Sequence, residues 1–95
     1  MTLKVAQIPL KLANEHIKNV PANVMFCVGC YAGDKLVGAA VCEKIQSIDG
    51  KKACKISGVY ADGNISVYSE LCKACYKFAM QKGCNEIIIS VGKES

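Results

Sequence analysis

Residues 53–91 read ACKISGVYADGNISVYSELCKACYKFAMQKGCNEIIISV, and this stretch decides the fold. Ala53 to Tyr60 is rich in residues suited to a strand, whereas Ala61-Asp62-Gly63-Asn64 breaks the pattern with turn chemistry. From Ser66 to Lys82 the apolar residues Tyr68, Leu71, Cys72, Cys75, Phe78 and Ala79 recur at helical steps, which predicts one buried helix face. Gly83 stands where a left-handed C-terminal cap is expected, and Glu86 to Val91 is a short apolar run suited to a buried strand. Strand, crossover helix and strand in this order make a right-handed parallel unit.

Working back towards the N-terminus, Val24 to Tyr31 and Leu36 to Lys44 are two strand-like runs. Between them, Ala32-Gly33-Asp34-Lys35 predicts a hairpin. Asp49-Gly50 marks the next turn, which leads into the strand at Ala53 and completes an antiparallel meander. Leu3 to Ile8 alternates weakly as a first strand. Pro9 then suits the first turn of a helix, whose apolar positions Leu10, Ala13, Ile17 and Val20 carry it to about Asn19 before Pro21 stops it. The expected class is α/β (α+β): a mixed sheet, antiparallel first and parallel last, with helices on its faces.

The sequence has 95 residues, 52% of them apolar and 21% charged, which excludes a disordered chain and leaves room for one domain over residues 1–95. It contains no linker and no repeat. No apolar run approaches the ~20 residues of a membrane span, and the N-terminus lacks the ordered segments of a signal peptide, so a cytoplasmic protein is expected. Seven cysteines, an odd number, read as reduced thiols and not as a disulfide framework. The net charge is +4, yet every basic residue is lysine. Without the guanidinium fork, sequence-specific reading of nucleic acid is disfavoured, although diffuse attraction to polyanions remains open.

The connection from Tyr60 to Tyr68 is the most informative place for chemistry. A helix N-terminus presents unpaired N–H groups and the positive end of its dipole, which together favour a phosphate. An ordinary helix capped by Asn64 or Ser66 accounts for the same residues. Cys27/Cys30 and Cys72/Cys75 have the spacing of zinc ligands, but a spacing of three on a strand points side chains to opposite faces. Cys72 and Cys75 share a helix face with Leu71 and Phe78, which packing explains. No metal site is therefore expected. Cys84, just past the helix, is the thiol expected to be most accessible. His16 is expected on an exposed helix surface, Tyr76 on the surface, and Tyr31 packed beside its turn.

The order of elements, with the segments FCVGCYAGDKLVGAAV, ADGNISVYSELCKACYKFAMQKG and CNEIIISV, resembles the central part of the GNAT N-acetyltransferase superfamily. Within it, the chain looks like a phage and plasmid branch that includes Mom-type DNA-modifying acyltransferases, with a shortened C-terminal part. The resemblance implies acetyl-CoA as cofactor, its pantetheine paired with backbone at Val59, Tyr60 and Ala61. The diphosphate would then sit on N–H groups of Gly63, Asn64, Ile65, Ser66 and Val67. It implies an acyl-CoA partner, an amine acceptor, and a homodimer in which a second subunit covers the exposed edge strand.

The superfamily's signature Q/R-x-x-G-x-G/A falls on Gly63, Ser66 and Tyr68, with tyrosine in place of a small residue. The strand that often carries an acid in that branch shows Lys55 and Gly58. Glu43, Tyr60 and Tyr68 are therefore the candidate catalytic residues for proton transfer. The alternative is a non-catalytic binding module of the same fold, for instance a phage-encoded factor acting on a host protein.

Overall fold

The computed structural model describes residues 2–18, 20–46, 49–62 and 65–89. It forms a five-stranded sheet in the order β1-β2-β3-β4-β5, built from β1 (Leu3–Ile8), β2 (Val24–Ala32), β3 (Lys35–Gln46), β4 (Lys52–Ala61) and β5 (Glu86–Ile89). The first four strands are antiparallel neighbours, and β5 runs parallel to β4. The mixed sheet is thus the expected one. The β2–β3 hairpin closes with Ala32 opposite Lys35, and Gly33 takes the left-handed φ of 66° that this tight turn requires.

Helix α2 (Ile65–Gln81) covers one face of the sheet. Its buried stripe is Val67, Leu71, Ala74, Cys75 and Ala79, set against Phe26, Val28, Cys30, Ala40, Cys42, Cys54 and Ile56. Tyr68, Cys72 and Phe78, expected on that face, lie at its border and are half-buried. The helix is rotated so that the smaller Val67 and Ala74 meet the sheet, which brings its axis closer. Gly83, with φ of 86°, ends the helix: its N–H donates to the Met80 carbonyl and the Cys84 N–H to that of Ala79.

The opposite face carries α1 (Leu10–Ala13). This helix is much shorter than the expected run to Asn19, which itself lies outside the described residues. After Ala13 the chain tightens into turns in which the N–H groups of His16 and Ile17 both donate to the Ala13 carbonyl. Asn14 disfavours helix continuation and Pro21 ends the run, but the turn still delivers Ile17 to the sheet. There Ala13 and Ile17 pack on Cys27, Ala39 and Val41. Among the described residues no helix is long and apolar enough to cross a membrane.

Two glycines set the approach of these layers. A Cβ on Gly38 of β3 would stand 2.5 Å from Val67 Cγ1, and one on Gly58 of β4 would stand 2.7 Å from Ile17 Cγ2. Gly38 lies opposite Ala61, so it admits the first turn of α2 directly onto the end of β4. Replacing Gly38 by alanine should therefore push α2 outward and cost ~1–3 kcal/mol, the usual range for overpacking. Chemical denaturation of Gly38→Ala checks this, with a surface change such as Lys73→Ala as the neutral control.

Candidate functional site

β4 pairs with β5 from Ala53 to Ile56, opposite Glu86 to Ile89. Beyond Ile56 the described part of β4 continues through Val59, Tyr60 and Ala61, held on its other side by Ala40, Ala39 and Gly38 of β3. The strand that was expected to back a pantetheine therefore has neighbours on its β3 side and, among the described residues, none on its β5 side. Val59 is 36% exposed and Ile65, the first residue of α2, is 79% exposed.

Gly63 and Asn64, expected to contribute N–H groups to a diphosphate, lie outside the described residues. Ile65, Ser66 and Val67 form the first turn of α2, where Ile65 and Ser66 are exposed and Val67 is buried against Gly38. That turn holds no acidic residue that would repel an anion. Asp62, the nearest acid, has its main-chain N–H bonded to the Val37 carbonyl, which ties the chain to β3 just before the helix begins. The half-exposed Val59, the end of β4 and a helix start without acids thus adjoin at one place.

A β-bulge interrupts β4 at the point where its pairing to β5 ends. Val41 lies opposite Gly58 and Cys42 opposite Ile56, leaving Ser57 as the extra residue. The Ser57 hydroxyl donates a hydrogen bond to Glu43 Oε1. Neither the bulge nor this pair was legible in the sequence, because each depends on the register between two strands.

The three candidate residues for proton transfer are not gathered at one point. Ala39, the partner of Tyr60, is four residues from Glu43 along β3, roughly 13 Å at the usual strand rise. The Tyr60 ring packs on the α1 side and stacks on His16, with centroids 4.6 Å apart and planes 15° from parallel. His16 is exposed as expected, yet the turn after α1 brings it to the strand that bears the candidate site. Tyr68 lies across the sheet on α2. The sulfur of Cys72, one helical turn on, and partial burial hold its hydroxyl above the ordinary tyrosine range.

Glu43 also lines an open groove of about 990 Å3, together with Val24, Met25, Lys44, Ile45 and Lys52. Nothing in the spacing of these residues marks them as a group.

The cysteines are distributed as packing residues. Cys27 faces α1 and Cys30 faces α2, the opposite sides expected for a spacing of three on a strand. Among the described residues no group of three or more His, Cys, Asp or Glu side chains could hold a metal ion. Cys84 departs from expectation: it is 4% exposed, because the helix cap turns it inward to meet Met25 Sδ at 4.0 Å. Burial, and then Cys54, push its thiol above the usual range, with Lys52 and Lys44 drawing it back only in part.

No protein-family model matches the sequence, and a comparison with curated proteins gives no match. Solved structures do match. A GNAT family acetyltransferase from Staphylococcus aureus is similar at a TM-score of 0.73 and 12% identity, over 98% of this chain and 89% of that one. A ribosomal-protein-alanine N-acetyltransferase from Brucella melitensis biovar Abortus gives 0.73 and 10%, over 97% and 82%. The aminoglycoside N-acetyltransferase AAC(6')-Iy, solved with a bisubstrate analogue of CoA, gives 0.75 and 14%, over 100% and 83%. The chain thus has the fold of the GNAT acetyltransferases.

The buried thiols generate a test. Cys84 should resist iodoacetamide at pH 8 in the native protein, and Cys72, the one half-buried cysteine, should react first. Mass spectrometry of the alkylated chain reads this, and early labelling of Cys84 would contradict its inward placement.

Proposed function

We propose that this chain is an acyl-CoA-dependent N-acyltransferase of the GNAT superfamily. The observation that carries the reading is the seat of the first turn of α2 on Gly38, beside the last residues of β4, in a fold shared with an acetyltransferase solved with a CoA analogue. In this reading the main chain at Val59, Tyr60 and Ala61 holds the pantetheine amides. The N–H groups from Gly63 through Asn64, Ile65 and Ser66 to Val67 take the diphosphate. Acetyl-CoA, when bound, supplies an acyl group activated as a thioester.

The chain's own residues then have three tasks. A main-chain N–H at Val59 or Tyr60 donates to the acyl oxygen, where negative charge develops. Glu43, on the α1 side, receives the proton of the attacking amine. Tyr68, protonated and on the α2 side, returns a proton to the departing sulfur. Tyr60 stacks on His16 beside them.

A homodimer belongs to the same proposal. β5 is the outer strand among the described residues and leaves Ile88 and Ile89 39% and 45% exposed, and an apolar edge of this kind invites a partner. A cytoplasmic setting is consistent with seven unpaired cysteines.

Calorimetric titration with acetyl-CoA, together with thermal melting, tests the reading. At about 100 times its dissociation constant, acetyl-CoA should add roughly 2.7 kcal/mol of stability. Ile65→Glu places an acid beside the diphosphate and should weaken binding by about tenfold. The same change favours the helix dipole, so the melting temperature of the free protein should hold or rise. No stabilisation at millimolar acetyl-CoA would refute the reading. Binding without turnover would leave a non-catalytic module of the same fold.

A further inference from the structure

The hydrogen bond at the β4 bulge joins two groups of complementary chemistry. Ser57 is the extra residue of the bulge, has no partner across from it on β3, and donates its hydroxyl proton to Glu43 Oε1. A hydroxyl already aimed at a carboxylate meets the first requirement for a serine nucleophile and its base. Both residues are half-buried, so neither is sealed in the core.

Three further features surround the pair. Pairing of β4 to β5 ends at Ile56, so on its β5 side Ser57 is the first residue of β4 beyond that pairing. Lys55 stands directly across from Glu43, which puts both side chains on one face of the sheet with Cβ atoms about 5 Å apart. An ammonium there favours an oxyanion formed beside it. The open groove reaches the pair at Glu43. Val24, which packs with the α1-side cluster, and Ile45, two residues along β3 from Glu43, add apolar surface to it.

We propose that Ser57 is a nucleophile, activated by Glu43, which takes a short acyl group from a thioester or an activated ester and passes it to water. This hydrolytic activity goes beyond transfer to an amine. It rests on the acyltransferase reading for acyl-CoA as donor, but not for the serine chemistry.

In the first step Glu43 takes the Ser57 proton as Oγ attacks the acyl carbon. The Oγ–C bond forms and the C–S bond breaks, and the sulfur leaves with the bonding electrons and takes the proton from Glu43 to give a free thiol. In the second step water gives a proton to Glu43 and attacks the ester carbon. The new C–O bond forms, the Oγ–C bond breaks, and Oγ leaves with its electron pair and recovers the proton from Glu43. Thioester and water become thiol and carboxylic acid, with no oxidant or further reactant.

The test has two arms. In the first, p-nitrophenyl acetate reports acylation without CoA: a burst of p-nitrophenolate stoichiometric with the chain should precede slower release. Mass spectrometry of the digested protein should then place one acetyl group on Ser57. Ser57→Ala should remove the burst, and Glu43→Gln should slow it by at least about a hundredfold. Ser57→Cys keeps a nucleophile at the bulge and guards against a folding defect in the alanine variant. It should still be labelled at that position, as a thioester that neutral hydroxylamine strips while the serine ester survives. In the second arm acetyl-CoA replaces the ester with no amine present, and release of CoA thiol should fall at least about tenfold in Ser57→Ala.

Acetyl groups found only on lysines or on the native cysteines, a burst that survives Ser57→Ala, or Glu43→Gln acylated at the parent rate would each overturn the proposal. Labelling of Ser57 by the ester with no binding of acetyl-CoA would sink the acyltransferase reading and leave the nucleophile standing. Acetyl-CoA that binds and acetylates amines while Ser57 stays unlabelled would overturn the nucleophile and leave that reading standing.

Discussion

The close approach of α2 to the sheet at Gly38 is the constraint on which the rest of the structure depends. A helix normally stands off a sheet by the thickness of two side chains. Here Val67 Cγ1 occupies the space that a Gly38 Cβ would need, so the helix start lies against the backbone of β3 and β4. The Tyr60 carbonyl is only 3.1 Å from that same Cβ position. The positive end of the helix dipole is thereby delivered to the end of the strand. A larger residue at 38 would separate the two features that the candidate site combines.

On the other face, Gly58 performs a similar service for Ile17. The short α1 and the turn after it are held by this contact and by Ala13, and they carry His16 onto Tyr60. Both faces of β4 are thus approached closely near its middle and end, one by each helical layer. The bulge at Ser57 sits just before these approaches and swings β4 at the residue after its last pair with β5.

Much of the architecture was legible in the residues themselves. Gly33, Gly50 and Gly83 take positive φ where turns or a cap were expected, and the runs between them became strands and a helix. These signals are local, carried by glycine's freedom and by apolar periodicity. The extent of α1 was misread because Ile17 and Val20 continue a helical spacing that turns can satisfy equally well. The orientation of α2 was misread by about one residue because Tyr68 and Cys72 lie next to the true stripe. What the sequence could not disclose was register. The Ser57–Glu43 pair joins residues 14 apart in the chain, and the groove draws on three strands and the turns beside them. Cys84 was misplaced for a related reason, since the turn at Gly83 and not the cysteine's own neighbours decides where it points.

The topology also orders the assembly of the fold. β1 to β4 join neighbours in sequence, so their pairing closes short loops at low entropic cost. β5 can meet β4 only after the chain has crossed the whole of α2, and its parallel pairing to Ala53–Ile56 closes a much longer loop. The parallel pairing of β5 is thus the costliest closure in the sheet, and the edge of β4 beyond Ile56 is framed only by that closure.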